Sequence, residues 1–421
     1  MKKQFIILLI VAGLLSFYTA CKNGATYRTL IITGQNNHNW KASSPVLKTI
    51  LDETGLFVSD IVITPEKGGD MNTFSPDFSK YKLVVLDYNG DSWSEKTKTA
   101  FLKYVSNGGG VVVYHAANNA FPEWKEYNEI CGLGGWGGRD EKAGPYVFYG
   151  RGNEIVRDDT SKGIGGTHGA RSEFLVKIRS LDHPITKGLP YNWLHGNDEL
   201  YSLLRGPAQN MEILATALSG SPGNNRGSVA TAPGSTPVRR RQIRNEPVLM
   251  TITYGKGRIF HTVLGHADEG GGPAMQCVGF IVTLQRGAEW AVTGNVTQAV
   301  PFDFPTAAGV VLRPDYKAIT LEDDKANIGN YDIGKSTKYY TDLQANIRKA
   351  SGDPKKMLEF EKMMVVILKD VKATPEAKKL MLRELSWMGS EYCIPVVKEL
   401  AGNAELKDEA EFALARLQPV K

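Results

Sequence analysis

Three histidines and a pair of adjacent carboxylates stand where this chain could move protons. Gly34-Gln35-Asn36-Asn37-His38-Asn39-Trp40 follows the apolar run Tyr27–Thr33, and its His38 and Trp40 offer a proton carrier and an amphipathic ring. His115 closes a second apolar run, Val111–His115, and the small Ala116 and Ala117 let a substrate approach it. His195-Gly196-Asn197-Asp198-Glu199-Leu200-Tyr201 sets acids near a histidine. An acid so placed orients the ring, serves as general base or ligates a metal. If the backbone there is extended, Asp198 and Glu199 point to opposite faces and only one of them faces a given site. In Gly255–His266 (GKGRIFHTVLGH), His266 lies just past a strand, while His261 shares a strand face with Val263 and reads as structural. His183, before Pro184, reads as turn chemistry. Each segment also has a plain reading: asparagines satisfying a loop, or a histidine packed at a sheet edge.

The elements that must position these groups follow from periodicity. Tyr27–Thr33, Phe57–Ile63, Leu83–Asp87 and Val111–His115 read as buried strands, and Ser43–Thr54 and Ser94–Ser106 as helices, the second capped by Ser94. Alternation of this kind predicts an α/β fold with a mostly parallel sheet covered on both faces. Ligands of such sheets bind beyond the carboxyl ends of the strands, where His38 and His115 fall. Phe174–Ile178, Glu199–Leu203 and Glu212–Ala217 read as further strands, Pro247–Tyr254 with Arg258–Leu264 as a hairpin, and Ala274–Val292 as a closing helix. Residues 124–166, rich in glycine and aromatics, show no clear period, and 219–245 reads as a long polar loop.

The N-terminus has the layout of a secretory signal over residues 1–20: Lys2 and Lys3, an apolar run from Phe5 to Leu15, then Thr19 and Ala20 before Cys21. The run is shorter than the roughly 20 residues that span a bilayer. Cys21 sits where a lipoprotein cysteine is acylated, which predicts an exported protein, periplasmic or on the outer membrane, anchored through Cys21. A cleaved signal with Cys21 left unmodified is the alternative. Removing residues 1–20 lowers the formal charge from +5 to +3, because Lys2 and Lys3 leave and no acid does. The basic run Arg239–Arg241 lies in a loop without stacking aromatics, so no nucleic-acid partner is expected. Cys131, Cys277 and Cys393 are too widely spaced for a metal knuckle and read as buried thiols.

About 400 mature residues exceed one core. The domain reading is a tether over 21–26, an α/β domain over 27–297, a link over 298–335 and a helical region over 336–421. The last carries helices at Ser336–Ala350, Pro354–Val371, Pro375–Trp387, Tyr392–Ala401 and Leu406–Leu417. They fit either a short HEAT-like run, which offers a surface for a protein partner, or a plain helical bundle.

Six ordered blocks carry a resemblance: Gly34–Trp40, Gly108–Ala117 (GGGVVVYHAA), Trp136 in its glycine-rich stretch, His183–Leu189 (HPITKGL), Asp198–Tyr201 (DELY) and Gly255–His266. In this order they resemble the ThuA-like (trehalose utilisation) family over about residues 27–295. The resemblance implies a flavodoxin-like fold of the class I glutamine-amidotransferase type, and work on trehalose and related sugars, often beside enzymes that make 3-keto sugars. Amidotransferases of this fold carry a cysteine on the strand-to-helix turn. His115 stands there in this chain, and without a thiolate there is no thioester route.

Two functions are therefore weighed. The first is an enzyme acting on a glycoside or 3-keto-glycoside, with His38, His115, His266 and Asp198 or Glu199 meeting at the sheet's edge. Its substrate contacts come from Gly34, Asn37, Trp40, Trp136 and Tyr201, and Trp124 and Trp193 are further rings that could stack on a sugar. A divalent metal held by His38, His115, His266 and a carboxylate is compatible with these ligand types, although no HExxH spacing marks one. The second is a non-catalytic sugar-binding or scaffolding lipoprotein.

Overall fold

The computed structural model describes residues 26–219, 244–268, 271–316, 328–335 and 337–417. The expected signal, the Cys21 anchor and nearly all of the 219–245 loop lie outside these residues. The described chain divides into two compact units, with the boundary at residues 318 and 319.

The first unit is built on an eleven-stranded sheet among the described residues. Its site-bearing half is parallel: β1 (Tyr27–Thr33) pairs with β2 (Phe57–Ile63) and β3 (Leu83–Leu86), β3 pairs with β4 (Gly110–Tyr114), and β4 pairs with β11 (Gly257–Thr262). Leu30, Ile31, Val84, Val85, Val112 and Val113 are all 0% exposed, so β1, β3 and β4 are apolar at their centres because both faces are covered there, whereas the edge strand β2 leaves Val58 and Ile63 exposed. Helix α1 (Trp40–Asp52) and helix α5 (Val278–Thr293) pack against each other over this half. Helix α2 (Glu95–Ser106) also packs on β11, capped by the Ser94 hydroxyl as its sequence predicts. Helix α3 (Lys125–Cys131) packs on β11 and on β10 (Asn245–Tyr254).

The other half runs antiparallel, in the order β11, β10, β9 (Met211–Leu218), β7 (Ser172–Ile178) and β8 (Asn192–Asp198). The strand expected at Glu199–Leu203 lies one step earlier, at β8. Its inward positions include His195 and Asp198, which satisfy each other's polarity, so hydropathy did not mark it. The closing helix is broken at Cys277, whose extended backbone separates α4 (Gly272–Gln276) from α5. The glycine-rich stretch is ordered by buried guanidiniums rather than by an apolar stripe. Arg139 donates to Ala120 O at 2.7 Å and Gly135 O at 2.9 Å, and Arg205 to Gly144 O at 2.7 Å. The first part of the expected link is a packed strap: Val278 N donates to Val311 O at 2.9 Å, and Phe304 and Tyr316 join the core.

The second unit contains α6 (Lys338–Lys349), α7 (Pro354–Lys369), α8 (Pro375–Met388), α9 (Ile394–Leu400) and α10 (Lys407–Leu417). Met364, Met381, Leu382, Leu385, Cys393 and Val397 form its core. Buried Glu361 accepts from the Ser390 and Cys393 amides at 2.7 and 3.1 Å. Among the described residues no helix is long and apolar enough to cross a membrane.

Candidate active site

Two turns at the carboxyl edge of the parallel strands aim the first two imidazoles. After β1, Gly34 adopts φ +124°, and a Cβ there would stand 2.5 Å from Thr64 Oγ1, so the turn demands glycine. The loop that follows is tied to buried Asp87 beyond the end of β3. Asp87 accepts from Asn36 Nδ2 at 2.9 Å and from the Ser43 and Ser44 hydroxyls at 2.6 and 2.8 Å, and Asn36 Oδ1 in turn accepts from the His38 amide at 2.9 Å. After β4, His115 sits in the left-handed region at φ +44°, a strained turn of the kind that concentrates at functional sites. Its Nδ1 lies 2.6 Å from Val263 O, so it carries the proton, and Nε2 faces Tyr201 Oη at 3.1 Å.

The remaining groups hang on Asp198. Its carboxylate accepts from His195 Nε2 at 2.8 Å, the Glu199 amide at 2.7 Å, the Gly265 amide at 2.7 Å and the His266 amide at 3.1 Å. Asp198 is 0% exposed and does not line the cavity. The expectation that it takes a direct part in chemistry is thus corrected: it is a positioning residue that holds Glu199 and His266 from behind. Of the two adjacent acids it is Glu199 that faces the pocket.

Glu199 Oε2 lies 3.4 Å from His38 Nε2 and 3.3 Å from His266 Nδ1, and Oε1 lies 3.8 Å from His168 Nδ1. The His38 ring is 4.7 Å from those of His115 and His266, centre to centre. Four residues expected from separate segments therefore converge: His38, His115, Glu199 and His266. Burial works against the Glu199 charge, but the contacts from His266 and His38 outweigh it and hold the carboxyl well below its ordinary range. Burial likewise opposes the His266 charge, and Glu199 reverses the balance, raising this imidazole. His115 goes the other way, lowered to about 3 by burial and then by His38, and stays neutral. Behind them, His195 is raised to about 10 because Cys277 and Asp198 outweigh its burial.

His38, Glu199 and His266 line a cavity of about 920 Å³, together with Gly34, Asn37, Trp40, Trp136 and Tyr201 among others, while His115, 1% exposed, lies behind Tyr201 and His38 and does not line it. Every expected substrate contact reaches it. Trp124 and Trp193 do not: Trp124 packs among Trp93, Phe121 and Tyr127, and Trp193 is 0% exposed against Phe304. His261 is structural as read, its Nδ1 on Cys131 O at 2.9 Å, and His183 lies in a turn. The three thiols at 131, 277 and 393 are buried and free, and burial pushes Cys131 up to about 12. Sequence reasoning missed His168, whose ring lies 5.9 Å from Trp136, together with Asn89, Asp91 and Lys67, which also line the cavity. The signal for His168 was only an imidazole between glycines at Gly165, Gly166 and Gly169, inside a stretch without period.

The family model of ThuA, described as trehalose utilisation, matches residues 28–291, all of the site-bearing sheet but its first residue, Tyr27. The chain belongs to the ThuA family. A ThuA-like protein of Parabacteroides merdae is 52% identical in its crystal structure, with a TM-score of 0.63, and the match covers 69% of this chain and 99% of that one. A ThuA-like protein of Bacteroides uniformis is 18% identical with a TM-score of 0.41, over 66% of this chain and 97% of that one. A cytoplasmic protein of Salmonella typhimurium is 11% identical with a TM-score of 0.34, over 62% and 98%. No curated protein matches the chain. In this ThuA protein, all the residues that line the pocket fall inside the matched span.

Proposed function

We propose that this ThuA protein is an enzyme that acts on a glycoside or 3-keto-glycoside by acid/base chemistry at the Glu199 cluster. One observation carries the reading: a carboxylate meets the imidazoles of His38, His168 and His266 inside a cavity walled by Trp40 and Trp136. Indole faces and amides are what a sugar ring needs, because its C–H faces stack and its hydroxyls bond to groups such as Asn37 and Asn89.

For a 3-keto-glycoside the step is an elimination. A base removes the proton on C2, beside the carbonyl; a C1–C2 double bond forms as the C1–O bond breaks; the leaving oxygen takes a proton. His168 is the base in this reading, since its side chain is 38% exposed and its ring is not locked into the buried cluster. Nothing beyond the keto-sugar is consumed. The signal-like N-terminus ahead of Cys21 supports a reading in which this chemistry takes place outside the cytoplasm, on a lipid-anchored protein.

The test is release of aglycone from aryl 3-keto-glucosides by the purified protein. Turnover is expected, with a loss of at least 100-fold in kcat for His168→Gln or Glu199→Gln, on the scale of general acid/base catalysis. No product from the wild type, with or without added divalent metals, refutes the catalytic reading; sugar affinity without product would favour a binding protein.

A further inference from the structure

We propose that His38, His115, His266 and Glu199 bind one first-row divalent metal ion, zinc on ligand type, at the floor of the pocket. The site is shared with the proposed function, but the inference stands on ligand geometry and not on any substrate. One ligand atom from each of the four residues lies within 4.8 Å of the other three. Four ligands about 2.05 Å from a tetrahedral zinc stand roughly 3.3 Å from each other. Glu199 Oε2 already lies 3.4 Å from His38 Nε2 and 3.3 Å from His266 Nδ1, so an ion between them needs little rearrangement.

The surroundings are those of a metal shell. The Nδ1 proton of His115 goes to Val263 O at 2.6 Å, which fixes the tautomer and turns the Nε2 lone pair toward the cluster. His266 Nε2 lies 3.4 Å from Asp268 Oδ1, the carboxylate–imidazole pairing that orients ligating histidines. Two of the histidine nitrogens, His38 Nδ1 and His266 Nδ1, are buried and make no hydrogen bond. An ion would give His266 Nδ1 the partner that its 3.3 Å approach to Glu199 does not supply. Imidazole with one carboxylate and no thiolate suits zinc and its neighbours; magnesium and calcium prefer all-oxygen shells.

Tyr201 Oη, now 3.1 Å from His115 Nε2, gives up that contact when an ion takes the lone pair. Its hydroxyl is then free to bond a substrate oxygen. His168 stays outside the ligand set, with Glu199 Oε1 3.8 Å away, so a base remains available beside the ion. A bound ion would supply polarisation of a sugar carbonyl or hydroxyl oxygen.

The experiment uses the full chain, stripped with a chelator and titrated with Zn²⁺ or Co²⁺. Expected are one equivalent per chain by elemental analysis after gel filtration, and visible Co²⁺ bands of the intensity of a four-coordinate nitrogen–oxygen site. His38→Gln and Glu199→Gln should each weaken binding at least 100-fold. A single cooperative unfolding transition of each metal-free variant verifies that it is folded. Less than a tenth of an equivalent on the wild type overturns the proposal, as does equal affinity in both variants. Metal bound without sugar turnover sinks the proposed function and leaves this site standing; turnover by stripped protein that takes up no ion does the reverse.

Discussion

Asp198→Asn should separate the pocket from its support. The carboxylate serves four donors, two on each oxygen: His195 Nε2 and the Gly265 amide on Oδ2, the Glu199 and His266 amides on Oδ1. Asparagine keeps one oxygen and puts an NH₂ in place of the other. Whichever way the amide turns, two buried donors lose their acceptor and face a donor, at roughly 1–3 kcal/mol each. His195 also loses one of the two groups, Cys277 and Asp198, that hold it protonated, a further loss of the kind that makes breaking a buried pair cost about 3–5 kcal/mol in total. The variant should therefore melt several degrees below the wild type. Its second effect is local. If the amide nitrogen faces the Glu199 and His266 backbones, both side chains move, and a displacement on the order of 1 Å at reacting groups costs about 100-fold in rate. The assay is thermal unfolding followed by tryptophan fluorescence, beside kcat and KM on the keto-glucoside. KM should change little, because Trp40, Asn37 and Trp136 do not hang on Asp198. A variant of wild-type stability refutes the packing argument; a destabilised variant with unchanged kcat refutes the positioning role.

Other perturbations have equally definite outcomes. Burial raises Asp87 to about 7, and Glu246 in the same way to about 7. A carboxyl with a raised folded pKa binds its proton in the folded chain where the unfolded chain has released it. Its stabilising share is complete below about pH 4 and is lost as pH rises through 7, which for Asp87 amounts to roughly 4 kcal/mol. Urea midpoints of the wild type should fall from pH 5 to pH 8, and Asp87→Asn should flatten part of that slope; an unchanged slope contradicts it. Trp136→Ala, which removes a wall ring 4.7 Å from Tyr201, should raise KM several-fold with kcat changed less, and steady-state kinetics on the keto-glucoside decide it. Cys21→Ser should move the protein from the membrane fraction to the soluble one, whereas continued sedimentation with membranes argues against acylation at Cys21.

The parallel half of the fold was legible because its strands carry short apolar, β-branched runs such as residues 30–32, 83–86 and 111–113. Tyr27–Thr33 and Phe57–Ile63 begin and end where their hydropathy says. Legibility failed where polarity is satisfied inside. β8 hides because His195 and Asp198 answer each other in the interior, and the 124–166 region hides because Arg139 and Arg205 order it through carbonyls. The site follows the same division. His38, His115 and His266 were found because each follows a recognisable strand. Asp198 and Glu199 could not be assigned to faces, since β8 ends at Asp198 and the alternation stops there. His168 had no strand to announce it. No periodicity says that a carboxylate will serve four donors at once, so the bracing role of Asp198 is visible only in three dimensions.

The most direct measurement of the central claim is diffraction from crystals soaked in zinc, with data collected on both sides of the metal's absorption edge. A single strong anomalous peak is expected, bounded by His38, His115, His266 and Glu199 and about 2 Å from one atom of each. No peak at that position, or density that sets the three rings apart from the carboxylate, would contradict it.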